Sequence, residues 1–246
     1  MHEGSSHSGH QSDKPGIDAV LFDFHGTLAQ VESLTKSVAL AAERCGRTLS
    51  HLEATALAES VGAQGWVGTN LKPRVRPHFA AAWADRDLGE ESHHEAFTSL
   101  IDQAHGVFEG FAQALYDRLL LPDGWVVFAD TIGTLLALKA QGIPIALVSN
   151  VGFDVRPIIK HLGFDHLIDA WILSYEVGYC KPDPRIFYEA CMELMVEPGR
   201  SLMVGDSLAD AGANELGCRT YLLPHCGPGG TIGLDGVVKL VASASA

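Results

Sequence analysis

Short continuous apolar runs punctuate this chain, and most give way abruptly to polar residues and glycine. Residues 17–22 stop at Asp23, with Gly26 breaking the pattern, and residues 143–148 stop at Ser149-Asn150. Residues 170–173 form a shorter run, residues 201–204 stop at Gly205-Asp206, and residues 219–223 follow. Such unalternating runs predict strands buried on both faces, as in a parallel sheet. Between the later runs the apolar spacing turns helical, over residues 131–141, 154–161, 184–195 and 208–216. Gly142, Gly163 and Gly217 stand where such helices should stop. This alternation predicts an α/β, doubly wound parallel sheet with helices on both faces. Ligands of such sheets sit at the carboxyl ends of the strands, where the polar patches fall.

Residues 30–118 read differently. Helical spacing covers 34–45, 49–61, 93–105 and 108–119, no strand pattern stands out, and Gly62, Gly65, Gly68, Pro73 and Pro77 interrupt the middle. The expected organisation is therefore a tail over residues 1–15, an α/β core over 16–29 and 119–246, and an inserted all-helical module over 30–118. The tail is rich in Gly, Ser and His without apolar periodicity, which predicts disorder.

Composition narrows the partners. The 246 residues are 47% hydrophobic and 19% charged, as in a globular protein, with a net charge of −13 and no basic block. That excludes a nucleic-acid backbone as the expected partner. No apolar run approaches the roughly 18 residues of a membrane span, and no signal-peptide layout begins the chain, so a cytoplasmic protein is expected. Five scattered cysteines offer no zinc or redox spacing. No heptad pattern stands out, which leaves monomer or homodimer open.

The polar patches carry the chemistry. A carboxylate at Asp23 can attack phosphorus or carbon to form an ester, though a strand-terminal Asp also serves simply to cap a turn. Thr27 could steady that loop or donate to a phosphoryl oxygen. Asp206 and Asp210 offer the oxygen ligands that Mg²⁺ requires, or else decorate a helix start for its dipole. Ser149 and Asn150 could grip a phosphate or act as a helix N-cap. Lys181, beside Pro182 and Pro184, offers a fixed positive charge to a nucleophile and an anion. Specificity is expected from the insertion, where Arg74, Arg76, His78 and Trp83 are candidates: the two arginines could pair with a substrate carboxylate or second phosphate or stay solvated at the surface, and Trp66 and Trp83 could serve as a substrate platform or as core of the insertion. His93-His94 is assigned to surface or core, because adjacent helical residues point apart.

Taken together, these residues resemble the haloacid dehalogenase superfamily. Residues 23–28, Asp-Phe-His-Gly-Thr-Leu, are similar to its first motif; Ser149 stands for the second, Lys181 for the third, and Gly205-Asp206-Ser207 with Asp210 for the fourth. The resemblance spans about residues 17–223. It implies a Rossmann-like core whose helical cap opens and closes over the site. It further implies Asp23 as nucleophile and Mg²⁺ ligand, the backbone carbonyl of His25 and the carboxylates of Asp206 and Asp210 as metal ligands, and Ser149, Asn150 and Lys181 as the phosphoryl clamp. The expected reaction is Mg²⁺-dependent hydrolysis of a small phosphorylated metabolite through an aspartyl-phosphate.

His25 departs from the pattern, since phosphatases of the family place a second Asp there. An imidazole can serve as acid and base near neutrality. The departure opens two alternatives: a metal-independent 2-haloacid dehalogenase, towards which residues 175–177 also lean, and a non-catalytic phosphate-binding module.

Overall fold

The computed structural model describes residues 16–69 and 71–244. The tail expected over residues 1–15 lies outside them. Five parallel strands form the central sheet: β1 (Ala19–Phe22), β4 (Ile145–Ser149), β5 (Ala170–Leu173), β6 (Ser201–Gly205) and β7 (Arg219–Leu222), in the order β5-β4-β1-β6-β7. β1 lies at the centre, with Phe22 opposite Leu147 on one side and Val204 on the other. β1, β4 and β6 are buried along their whole length, which is why they read as unbroken apolar runs.

The pleat sorts their side chains into two core layers. Val20, Phe22, Ile145, Leu147, Leu202 and Val204 pack with helices α6 (Thr131–Ala140), α7 (Arg156–Leu162) and α10 (Asp235–Ala244). Ala19, Leu21, Ala146, Val148 and Met203 pack with helix α9 (Pro184–Glu193) through Ile186, Phe187 and Ala190. The chain runs from β1 to β4 and β5, then crosses back to β6 on the other side of β1. The carboxyl ends of β1, β4 and β6 therefore meet at the point where the strand order reverses.

Two further strands, β2 (Ala29–Val31) and β3 (Trp125–Val127), pair antiparallel and were not expected; three residues each are too few to show a pattern. Between them lie five helices, α1 (Leu34–Arg44), α2 (His51–Gly62), α3 (Ala80–Asp85), α4 (Glu90–Ile101) and α5 (Phe111–Leu120), and no strand among the described residues. A reciprocal capping box between Ser50 and Glu53 starts α2. Where chain leaves and rejoins the ribbon, Glu32 and Arg118 form a buried bidentate pair at 2.7 and 3.0 Å. Ser37 donates to the same carboxylate at 2.9 Å, Lys36 adds 2.8 Å, and Arg118 also reaches Asp123 at 2.8 Å. Burial works against the Glu32 charge, but Arg118, Lys36 and Ser37 outweigh it and hold its carboxyl below the usual range.

Residues 208–216, expected as a helix, instead make a turn and a 3-10 helix over Asp210–Leu216. The Asp210 carboxylate there turns inward and accepts from the Ser207 backbone at 3.0 Å and its hydroxyl at 2.8 Å. No helix among the described residues is long and apolar enough to cross a membrane. Helix α8 (Ser174–Val177) completes the set.

Candidate active site

Asp23 follows β1 directly, and its backbone N–H donates to Val204 at 2.9 Å, which keeps it in line with the sheet. Its side chain is nearly buried. Lys181 Nζ bonds Asp23 Oδ1 and Asp210 Oδ1, both at 2.6 Å. Asp23, Asp206 and Asp210 each offer a carboxylate oxygen, and these lie within 4.8 Å of one another. Two glycines make that crowding possible. A Cβ at Gly26, which also sits at φ +85°, would lie 2.1 Å from Asp206 Oδ2; a Cβ at Gly205 would lie 2.2 Å from Asp210 Cγ.

The electrostatics are unbalanced. Three carboxylates face one ammonium. Burial first, then the charges of Asp210 and Asp206, push the Asp23 carboxyl up against the pull of Lys181. Burial and Asp210 push Asp206 up as well. Burial penalises the Lys181 ammonium, but Asp23 and Asp210 outweigh it and hold that group protonated above its ordinary range. An excess of hard, partly desolvated oxygen donors is the donor set of a divalent cation such as Mg²⁺. The His25 carbonyl, two residues beyond Asp23, accepts no hydrogen bond from the described residues. These residues fit a metal.

Lys181 is held by more than its charge. The Asn150 side chain donates from Nδ2 to the Lys181 carbonyl at 2.9 Å and accepts the Lys181 N–H at Oδ1, 2.7 Å. Asn150 thus spends both ends of its amide on the lysine backbone, where the sequence suggested a phosphate ligand. Ser149 at the end of β4 keeps its hydroxyl free of partners among the described residues. Thr27 is fully buried and its hydroxyl points at Asp23 Oδ2 over a long 3.4 Å.

His25 is fixed by Gln30, a residue that no motif singles out. Gln30 Oε1 accepts the Val31 N–H at 3.0 Å, which identifies that atom as the oxygen. The short contact from His25 Nε2 to the same oxygen makes Nε2 the proton donor. The ring stands edge-on to Trp125, with centroids 5.5 Å apart. Burial lowers the affinity of this imidazole for a second proton, with Asp23 opposing.

Beside these groups opens a cavity of about 570 Å³, with Phe24, His25, Ser149, Asn150 and Ser207 at its core end. Its far wall comes from the helical segment and includes Trp66, Trp83, Arg86, Asp87, His93 and Phe97. Arg74 and Arg76 are exposed and line no part of it; the arginine that does is Arg86. Arg86 and Asp87 stand out only afterwards, as charges in the alanine-rich stretch behind Trp83. His93 is buried with Nδ1 at 2.9 Å from the Tyr116 hydroxyl, whereas His94 turns away to Gln113 at 2.6 Å, so the two share no ion. Tyr175 and Glu176 lie with Arg156, which holds Glu176 at 2.8 Å.

The segment touches the core closely. Ser174 Oγ donates to the Asp87 carbonyl at 2.5 Å and accepts the Val151 N–H at 2.8 Å. A Cβ at Gly152 would lie 2.3 Å from the Arg86 carbonyl, so only glycine fits there.

Comparison with known proteins agrees with this arrangement. The family model for haloacid dehalogenase-like hydrolases matches residues 17–215. A phosphoglycolate phosphatase from Colwellia psychrerythraea is 30% identical over 195 residues, 78% of this chain and 77% of that protein. Haloacid dehalogenase-like hydrolase domain-containing protein 3 of Bos taurus is 31% identical over 155 residues, covering 62% of this chain and 58% of its own. The chain spans about half the length of several curated relatives it matches, 50% for the Mus musculus protein. Among solved structures, a HAD phosphatase from Thermococcus onnurineus superposes with a TM-score of 0.55 at 25% identity, over 92% of this chain and 98% of that one.

Proposed function

This chain belongs to the haloacid dehalogenase-like hydrolases, and on that premise we propose that it is a Mg²⁺-dependent phosphatase of a small phosphorylated metabolite. The observation that carries the reading is the meeting of Asp23, Asp206 and Asp210 within 4.8 Å, with Lys181 bonded to Asp23 and Asp210. The kept carboxylates favour phosphoryl chemistry over the metal-independent attack on carbon that His25 alone would suggest. Phosphatases among the relatives support the same choice.

Lys181 occupies Asp23 Oδ1, which leaves Oδ2 as the less encumbered attacking oxygen. Attack forms an Asp23 Oδ2–phosphorus bond and breaks the bond from phosphorus to the ester oxygen. The departing oxygen takes a proton. Water then replaces Oδ2 on phosphorus, releasing phosphate and regenerating the carboxylate. Ser149 donates to a phosphoryl oxygen, and Lys181 offsets charge at the nucleophile. Asn150 holds Lys181 in position. With Nε2 committed to Gln30, His25 exchanges protons at Nδ1. Asp23, Asp206 and the His25 carbonyl would hold the Mg²⁺, which when bound neutralises charge between nucleophile and phosphoryl group. The helical segment acts as the cap that closes over the substrate.

Phosphate release from a panel of phosphate monoesters, with Mg²⁺ and with EDTA, tests this. The expected result is release that EDTA abolishes and Mg²⁺ restores. Halide release from 2-haloacids that survives EDTA, with no phosphate release, would replace the reading with the dehalogenase.

A further inference from the structure

The aromatic lining of the cavity bears on the class of leaving group, given the phosphatase reading on which this inference rests. Trp66, Trp83 and Phe97 line it from the helical segment, and Phe24, Trp125 and Phe153 from the core and ribbon. These rings are fixed. Phe24 stacks on Trp125 at 4.9 Å between centroids, and Phe97 stands edge-on to Trp66 at 5.7 Å and tilted to Trp83 at 5.6 Å. Apolar flat surfaces held in place favour a flat apolar guest, because little side-chain freedom is lost on binding.

Size agrees. A cavity of about 570 Å³ lies in the range that encloses a ring-bearing ligand. A two- or three-carbon phosphate would leave most of it to water.

Charge sharpens the choice. Arg86 is the one permanently cationic side chain lining the cavity among the described residues. It is already neutralised: Nη2 lies 3.0 Å from Asp87 Oδ2, Nη1 donates to the Trp83 carbonyl at 2.7 Å, and the guanidinium stacks over the Trp83 ring at 4.5 Å. His93 has Nδ1 engaged by Tyr116. Among the described residues the far wall therefore has no unpaired cation for a second anion, which disfavours the carboxylate or second phosphate that Arg74 and Arg76 suggested from sequence. The guanidinium plane continues the aromatic surface instead, as a stacking face.

We infer that the substrate is a phosphate monoester of an uncharged, planar aromatic alcohol, with the ring seated between the core aromatics and the Trp83–Arg86 stack. The phosphate points to Asp23, and the ring fills the cavity under the helical segment.

Binding rather than turnover is the test, because aryl oxides leave faster than alkoxides whatever the pocket. Trp66, Trp83 and Trp125 line the cavity while Trp171 does not, so tryptophan fluorescence reports a guest. The wild-type protein with Mg²⁺ is titrated with 1-naphthylphosphonate, methylphosphonate and phosphonoacetate, which are not hydrolysed. The expected result is 1-naphthylphosphonate binding at least about tenfold tighter than the other two, with quenching. Trp83→Leu should remove about five- to tenfold of that preference while methylphosphonate affinity stays within twofold and the melting temperature holds. Equal affinity for all three, or tighter phosphonoacetate, overturns the inference and leaves the phosphatase reading standing. Failure of every phosphonate to bind, together with no phosphate release, would overturn the phosphatase reading itself. If Trp83→Leu does not fold, the wild-type ranking alone decides.

Discussion

Two buried charge clusters in this protein look alike on paper and differ in balance. Around Glu32 and Arg118, two acids meet two bases, and each carboxylate oxygen of Glu32 has a donor. Around Lys181, three acids meet one base. The first cluster is complete without any visitor and ties the helical segment to the ribbon at its root. The second holds more negative charge than Lys181 offsets. Under-compensated burial of charge costs stability, and this imbalance is what marks it as a candidate site where the first is a structural joint.

The comparison can be broken first at Asp23. Asp23→Asn should lower phosphate release at least about 10³-fold, measured by steady-state kinetics. Its melting temperature should hold or rise, because one carboxylate leaves a crowded cluster. A large loss of stability would mean the cluster is a joint like the other.

Arg118→Leu should do the reverse. Loss of the bidentate partner leaves the Glu32 carboxylate to Lys36 and Ser37 and should cost about 3 kcal/mol, the low end for breaking a buried pair, read from urea unfolding, with the double variant Glu32→Leu, Arg118→Leu regaining much of it. The substituted rest of the site should keep its KM wherever the variant is folded.

His25→Ala is expected to lower kcat about 10²-fold, the low end for loss of an acid–base group, with KM little changed. An unchanged kcat would assign the proton transfers to another group, for which Asp87 in the cavity wall is the first to test.

The smallest effect concerns His93. Burial, with the Arg86 and His94 charges, pushes its pKa from 6.5 to about 3. The unfolded chain binds that proton more readily, so this contribution to stability is full above pH 6.5 and is lost as pH falls towards 3. The slope reaches about 1.4 kcal/mol per pH unit. His93→Phe should flatten the acid limb of the stability curve between pH 6 and 4.

Much of the catalytic end was legible in the sequence because strand ends are legible. Asp23, Ser149 and Asp206 each terminate a run that must be buried, so a parallel sheet necessarily brings them to one edge. Asn150 was harder. Its amide suits a phosphate as well as a backbone, and only the approach of the loop carrying Lys181 decides for the latter. The far wall of the cavity was legible only in part. Trp83 was among the residues the insertion offered and does line it, but Arg74, Arg76 and Arg86 all sit in polar, interrupted sequence, and pattern does not say which one turns inward. Ribbon strands of three residues carry too little pattern, and the 3-10 form of Asp210–Leu216 has no signal in apolar spacing.

Ser174 gives the closed arrangement an unusual kind of reversibility. Its single hydroxyl proton goes to the Asp87 carbonyl at 2.5 Å, while the Val151 carbonyl waits at 3.1 Å as a second acceptor. Lifting the helical segment would swap one acceptor for another rather than leave a proton without a home. The Val151 N–H donates to the same oxygen whichever acceptor the proton takes. His93 against Phe153, at 5.0 Å between centroids, is a second contact between the helical segment and this side of the core, and it asks for no exchange of protons at all.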